Sequence, residues 1–141
     1  MELGVIQKAW IKSLRENPER QIDGILGRKD DDSDENEYQA CCLGELLCVK
    51  ARLENKPLPF DEHGCIRDTA DTKDFSYFAP NLHELEHSYK ELGLYSAEGD
   101  INCDDLKGFS DLAGANDNGI KWFEIANFIE ANPEKVFTKS V

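Results

Sequence analysis

Apolar residues recur at helical spacing in four stretches of the chain. Leu3, Ile6, Trp10 and Leu14 fall three to four residues apart with charges between them, and Asn17-Pro18 breaks the pattern, which predicts an amphipathic helix over 2–16. From Tyr38 to Leu53, the positions Cys42, Leu46, Val49 and Leu53, flanked by Leu43 and Leu47, form a stripe wide enough for a central helix over 38–54, ended by Lys56-Pro57-Leu58-Pro59. Asn81 offers a cap to NLHELEHSYKEL, a third helix over 81–92 with the stripe Leu82, Leu85, Tyr89 and Leu92 and a stop at Gly93. Trp122, Ile125, Ala126 and Ile129, widened by Phe123 and Phe128, predict a largely buried helix over 120–131 that Pro133 closes.

The connections carry weaker patterns. QIDGILGR at 21–28, with two glycines, fits a turn or a short strand, and residues 60–79 read as loop with a short strand around CIR or FSYF. Six acids within 30–37 are too polar to bury and predict a solvated surface loop over 29–37. Glycines interrupt DLKGFSDLAGANDNG, and 133–141 is a tail whose Val136 and Phe137 can dock on the core. The fold class that follows is α+β and mostly helical: a single domain over 1–141, with about four helices and short strands at most.

Composition narrows the partners. The 141 residues include 16 Lys and Arg against 29 Asp and Glu, a net charge of −13, so the molecule repels nucleic acid and direct binding to it is not expected. The same field attracts basic proteins, including those that handle nucleic acid. Most of it lies C-terminally, with twelve acids and nine bases in 1–59 but seventeen acids and seven bases in 60–141. No apolar run approaches the ~20 residues that span a bilayer, and the charged N-terminus is unlike a signal peptide, so a cytoplasmic protein without membrane contact is expected. Five cysteines without a C-x-x-C pair read as reduced thiols, with Cys41, Cys42 and Cys48 packed in the apolar stretch ACCLGELLCV.

The sharpest catalytic string is His83-Glu84-Leu85-Glu86-His87, whose two imidazoles, four residues apart on one helical face, can hold zinc while Glu84 activates water. Against it, Leu82, Leu85, Tyr89 and Leu92 face the core, which leaves His83 and His87 on a solvated flank with no third ligand fixed by spacing. Neither acidic stretch is a calcium loop: in the loop starting at Asp30, Glu35 stands where glycine is needed and Cys41 where a bidentate Glu is needed, and the Asn116–Gly119 stretch fails likewise. Cys65 near His63 lacks an orienting third group, and no glycine-rich phosphate loop occurs.

As a whole, the arrangement resembles a family of short proteins of tailed bacteriophages and prophages. The matching pieces are Trp10 with Leu14-Arg15, Gly24 to Gly27, Cys41-Cys42-Leu43-Gly44, Leu92-Gly93-Leu94, and Leu112-Ala113 through Asn116-Asp117-Asn118-Gly119 to Glu124-Ile125-Ala126 and Ile129-Glu130. Cys48 comes one residue later than that family's third Cys, and Lys121 replaces its Ser or Thr helix cap. The resemblance implies a phage accessory protein and supplies no catalytic residue. The expected function is non-catalytic binding without a cofactor: counter-defence inhibition of a host nucleic-acid-handling protein, in the manner of an anti-CRISPR protein. The contact surface would be the acidic loop Asp30, Asp31, Asp32, Asp34, Glu35 and Glu37 together with Asp100, Asp104, Asp105 and Asp111. An alternative is a sponge for a cyclic-nucleotide or ADP-ribose-type signal, using Arg28, Arg52, Arg67, Tyr77 and Trp122 if the fold or a homo-oligomer gathers them. A second alternative is a zinc hydrolase through His83 and His87.

Overall fold

A computed structural model describes residues 1–66 and 85–141. The first helix, α1 (Val5–Glu16), turns Trp10, Ile11 and Leu14 into the core, together with the polar Gln7. It begins three residues later than the spacing predicts, with Gly4 as an N-cap in extended backbone that lacks a capping side chain. Its start is closed both locally and from the far end of the chain: Gln7 Oε1 accepts the Gly4 N–H at 2.9 Å, Gln7 Nε2 donates to the Lys139 carbonyl at 2.8 Å, and the Val141 backbone oxygen accepts the Ile6 N–H at 2.9 Å. A Cβ on Gly4 would overlap the Val141 backbone, so glycine is required where the two segments cross.

A 3-10 turn (Pro18–Arg20) leads to three two-residue strands, β1 (Gly27–Arg28), β2 (Gln39–Ala40) and β3 (Cys65–Ile66), antiparallel in the order β2-β1-β3. Gly27 stands opposite both Ala40 and Ile66. Of the two strands considered for residues 60–79, the CIR position is one and FSYF lies outside the described residues.

The central helix α2 (Cys42–Leu53) starts four residues later than predicted, since Tyr38 to Ala40 run extended into β2 and the Cys41 thiol accepts the Gly44 N–H as an N-cap at 3.4 Å. A Cβ on Gly44 would overlap the Leu26 carbonyl oxygen, so the helix lies directly on the strand-1 backbone. A helix α3 over 85–91 buries Tyr89 and leads to Leu92; the rest of the predicted 81–92 lies outside the described residues.

Two short helices were not legible. The first, α4 (Leu112–Asp117), forms where glycines predicted a break, because Asp111 caps it at the Gly114 N–H and a Cβ on Gly114 would stand only 2.8 Å from that carboxylate. The second, α6 (Pro133–Val136), is a single turn in the predicted tail and sets Val136 and Phe137 in the core. Between them runs α5 (Trp122–Ala131). Lys121 provides no side-chain cap there, and other residues replace it: Gln21 Oε1 accepts the Trp122 N–H and Glu124 Oε2 accepts the Lys121 N–H, both at 3.1 Å. Phe123, assigned from sequence to the apolar face, is 53% exposed.

One hydrophobic cluster runs from Trp10 to Phe137, with α1 packed against both α2 and α5. Trp10 meets Phe137 edge-on at 6.1 Å and donates its indole N–H to the Cys42 carbonyl at 2.8 Å. Asn116, fully buried, is the polar centre. Its Oδ1 accepts from the Cys42 N–H at 3.1 Å, the Trp122 indole at 3.0 Å and Gln21 Nε2 at 3.3 Å, while its Nδ2 donates to the Ile22 carbonyl at 2.8 Å. The adjacent Asp117 accepts the Gly24 N–H at 2.8 Å, and Gly119 takes a φ of 85°, which favours glycine. Across α1 and α5, Arg15 forks onto the Glu130 carboxylate, both bonds at 3.0 Å.

Candidate functional site

The β1–β2 connection is the most highly charged loop of the described chain. Asp30, Asp31, Asp32, Asp34, Glu35 and Glu37 are all exposed, and among the described residues none of the six forms an ion pair. The backbone beneath them is nevertheless folded, with turns closed by Ser33 N–H to Asp30 C=O at 3.0 Å and Glu37 N–H to Asp34 C=O at 2.9 Å. Two cations tie it down through its carbonyls: Lys29 Nζ donates to the Ser33 oxygen at 2.8 Å and Arg20 to the Asn36 oxygen at 3.1 Å.

The second predicted acidic group is partly engaged within the fold. The Asp111 carboxylate caps α4, and Asp105 accepts from Lys135 Nζ at 2.8 Å, a bond that holds its carboxyl below the usual range. Asp100 and Asp104 are exposed. Among the described residues, no hydrogen bond or ion pair joins this group to the loop.

Beneath the loop lies a polar network that sequence reasoning missed. Glu45, on α2 and wholly buried, accepts from Ser13 Oγ at 2.6 Å, from the Tyr38 hydroxyl at 2.7 Å and from Arg20 at 3.1 Å, with Arg52 at 3.5 Å. Arg20 lies 4.5 Å and Arg52 5.4 Å from the Tyr38 ring centre. Burial, reinforced by Cys48 and Glu45, raises the Tyr38 hydroxyl well above its ordinary value, so it remains a proton donor to Glu45. The signal that could have found the network is Glu45 itself, a carboxylate inside ACCLGELLCV, because a charge within a buried stripe requires partners.

The nucleotide alternative is not gathered at one place. Arg28 lines a cleft of about 340 Å³ beside the acidic loop, which also touches Glu19, Arg20 and Tyr38, and it bonds Gln39 at 2.9 Å. Arg52 turns inward to Tyr38 and lines a separate groove between α1 and α2. Trp122 is removed from the set: it is fully buried, with its indole N–H committed to Asn116, so no base can stack on it. Arg67 and Tyr77 lie outside the described residues.

Of the zinc alternative, His83 and Glu84 also lie outside the described residues. His87 is exposed and pairs with Glu91 at 3.0 Å, and among the described residues no group of three or more His, Cys, Asp or Glu is arranged to hold a metal ion. Burial pushes the Cys41 thiol up to about 11 and Cys48 up to about 12, and raises Cys42 as well, so these three are poor nucleophiles. The Cys65 thiol contacts the His63 carbonyl rather than its ring, and that imidazole faces Glu62 at 3.5 Å.

No protein-family model, curated protein or solved structure matches the chain.

Proposed function

We propose that the protein acts by non-catalytic binding, presenting the acidic loop Asp30 to Glu37 to a basic surface of a partner protein. The observation that carries this reading is that six exposed carboxylates stand without cationic partners among the described residues, on a loop whose backbone is itself tied in place. Ordering a binding loop before contact removes part of the entropy cost of association, and unpaired carboxylates speed the encounter with a basic partner. In the setting that the phage resemblance implies, the partner is a host nucleic-acid-handling protein and the binding blocks its nucleic-acid groove.

The test compares the wild-type chain with a variant carrying Asp30→Asn, Asp31→Asn, Asp32→Asn, Asp34→Asn, Glu35→Gln and Glu37→Gln. Each is immobilised and challenged with an oligolysine peptide and with lysate of a bacterial host. Wild type is expected to retain the peptide and a basic protein at low salt, and to release both near 1 M salt, where the screening length falls to ~3 Å. Equal retention by the variant, or no retention by wild type at low salt, overturns the reading.

A further inference from the structure

We propose that Arg20 and Lys29 are positioning residues for the acidic loop: they order it through its backbone carbonyl oxygens and thereby leave its carboxylates free for a partner. This rests on the reading of the loop as the binding element.

Eight residues bearing six like charges repel one another, and that repulsion favours an open, disordered connection. The structure opposes it with two cations, and neither touches a loop carboxylate. Lys29 Nζ lies 2.8 Å from the Ser33 oxygen and 3.4 Å from the Asp30 backbone oxygen. Arg20 Nη2 lies 3.1 Å from the Asn36 backbone oxygen. Had these side chains paired with the carboxylates instead, the loop would be ordered but partly neutralised.

The aim of Arg20 is fixed from behind. Its side chain is 11% exposed, and its other terminal nitrogen, Nη1, donates to both Glu45 and the Tyr38 hydroxyl at 3.1 Å. Because the guanidinium is planar and rigid, anchoring one edge in the core fixes where the other edge points. The end of the loop hangs on that second edge. A lysine at the same place replaces the planar fork with a flexible point charge, so it does not hold Glu45 and the Asn36 carbonyl in one fixed relative geometry. Arg52 provides an internal control, since it contacts the same Tyr38 and Glu45 and no loop atom.

The test measures backbone amide order parameters at Ser33 and Glu37, and affinity for an oligolysine peptide, in wild type, Arg20→Lys, Lys29→Met and Arg52→Lys. Wild-type amides are expected near the rigid value of about 0.85, and those of Arg20→Lys at Glu37 and of Lys29→Met at Ser33 below about 0.6, with Arg52→Lys unchanged. Peptide affinity should fall several-fold in the first two variants. Lys29→Met is the more telling, because it makes the protein one charge more negative: counting charges predicts tighter binding, positioning predicts weaker. It also leaves the Glu45 network untouched, and so remains informative if Arg20→Lys folds poorly. Order parameters at wild-type values in both variants, equal loosening by Arg52→Lys, or tighter binding by Lys29→Met overturns the proposal. If wild type does not bind the peptide, the binding reading falls, whereas the order parameters still decide whether these cations position the loop.

Discussion

Replacing Asn116 with Ala should be among the most damaging single changes in the protein. The side chain is fully buried, and its removal strands three groups at once: the Cys42 N–H at the start of α2, the Trp122 indole N–H and the Ile22 carbonyl. Gln21 is spared, because its Nε2 also donates to the Ile120 carbonyl at 2.7 Å. A buried polar group left unpaired costs about 1–3 kcal/mol, so three of them give a loss of about 3–5 kcal/mol in the lower half of that range. Set against the 5–15 kcal/mol by which domains are typically stable, this brings the variant close to unfolding. With a urea slope of about 1.5 kcal/mol per M, the midpoint should fall by roughly 2–3 M. The control is the adjacent Asp117→Ala, which removes a single exposed contact to the Gly24 N–H and should cost about 1 kcal/mol or less. Urea unfolding followed by tryptophan fluorescence reads both. A loss below about 1 kcal/mol in Asn116→Ala, or equal losses in the two variants, would refute the assignment of Asn116 as the polar centre.

Three further outcomes follow from the burial and charge of named groups. In native protein at mild alkaline pH, a thiol reagent should modify the partly exposed Cys65 and Cys103 while sparing Cys41, Cys42 and Cys48 until denaturant is added; rapid native modification of any of the last three contradicts their burial. Stability should fall at both pH extremes. Lys and Arg partners depress Glu54, Asp105, Glu124 and Glu130, so their contribution is present above the unfolded carboxylate range and lost as pH drops through the folded values; Glu130→Gln should flatten that acid slope. Cys41, Cys48 and Tyr38 are raised, so their contribution is intact below the ordinary thiol value of 9.0 and lost as pH climbs through the folded values of about 11 and about 12; Cys48→Ala should flatten the alkaline slope in denaturant titrations. Elemental analysis of protein purified without metal-affinity chromatography should find no stoichiometric zinc, and the exposed His87→Ala should shift stability by less than about 0.5 kcal/mol; bound zinc that this substitution releases would overturn the non-catalytic reading.

The periodic faces were legible because burial is written in the spacing. Trp10 and Leu14, Leu46 and Val49, and Trp122, Ile125 and Ile129 are all core residues, as their stripes predicted. Helix starts were less legible, because here the caps come from distant segments. Val141 closes α1 from the far end of the chain, and Gln21 reaches across to α5. No local pattern carries such a pairing. Gly114 misled in the opposite direction, since it lies inside α4 where the Asp111 carboxylate leaves little room for a Cβ. Of the candidate site, the exposed acidic loop was plain from composition. Its anchorage was not, because Arg20, Tyr38, Glu45 and Ser13 come from four separate segments of the chain and meet only in the fold.

The residues that carry the phage-family resemblance are largely accounted for by these same packing requirements. Trp10 and Arg15 join α1 to α2 and α5, Cys41 and Gly44 set α2 on the first strand, Asn116 and Asp117 tie α4 to the 21–24 segment, and Glu124 and Glu130 fasten the two ends of α5. A set of this kind specifies a scaffold rather than a ligand. The acidic loop stands outside the set. It joins β1 and β2, whose ends are pinned independently by the Cys41 N–H to the Leu26 carbonyl at 3.0 Å and by the Lys29 N–H to the Gly64 carbonyl at 2.6 Å. Changing the length or charge of a surface connection between two fixed points costs little, so the loop can diverge while the scaffold stays. If the resemblance reflects a common fold, related chains should therefore keep the counterparts of Asn116 and Gly44 and differ most between β1 and β2. Moving this loop onto such a chain, together with its Arg20 and Lys29 anchors, should then transfer oligolysine binding, and transfer of the loop without its anchors should not.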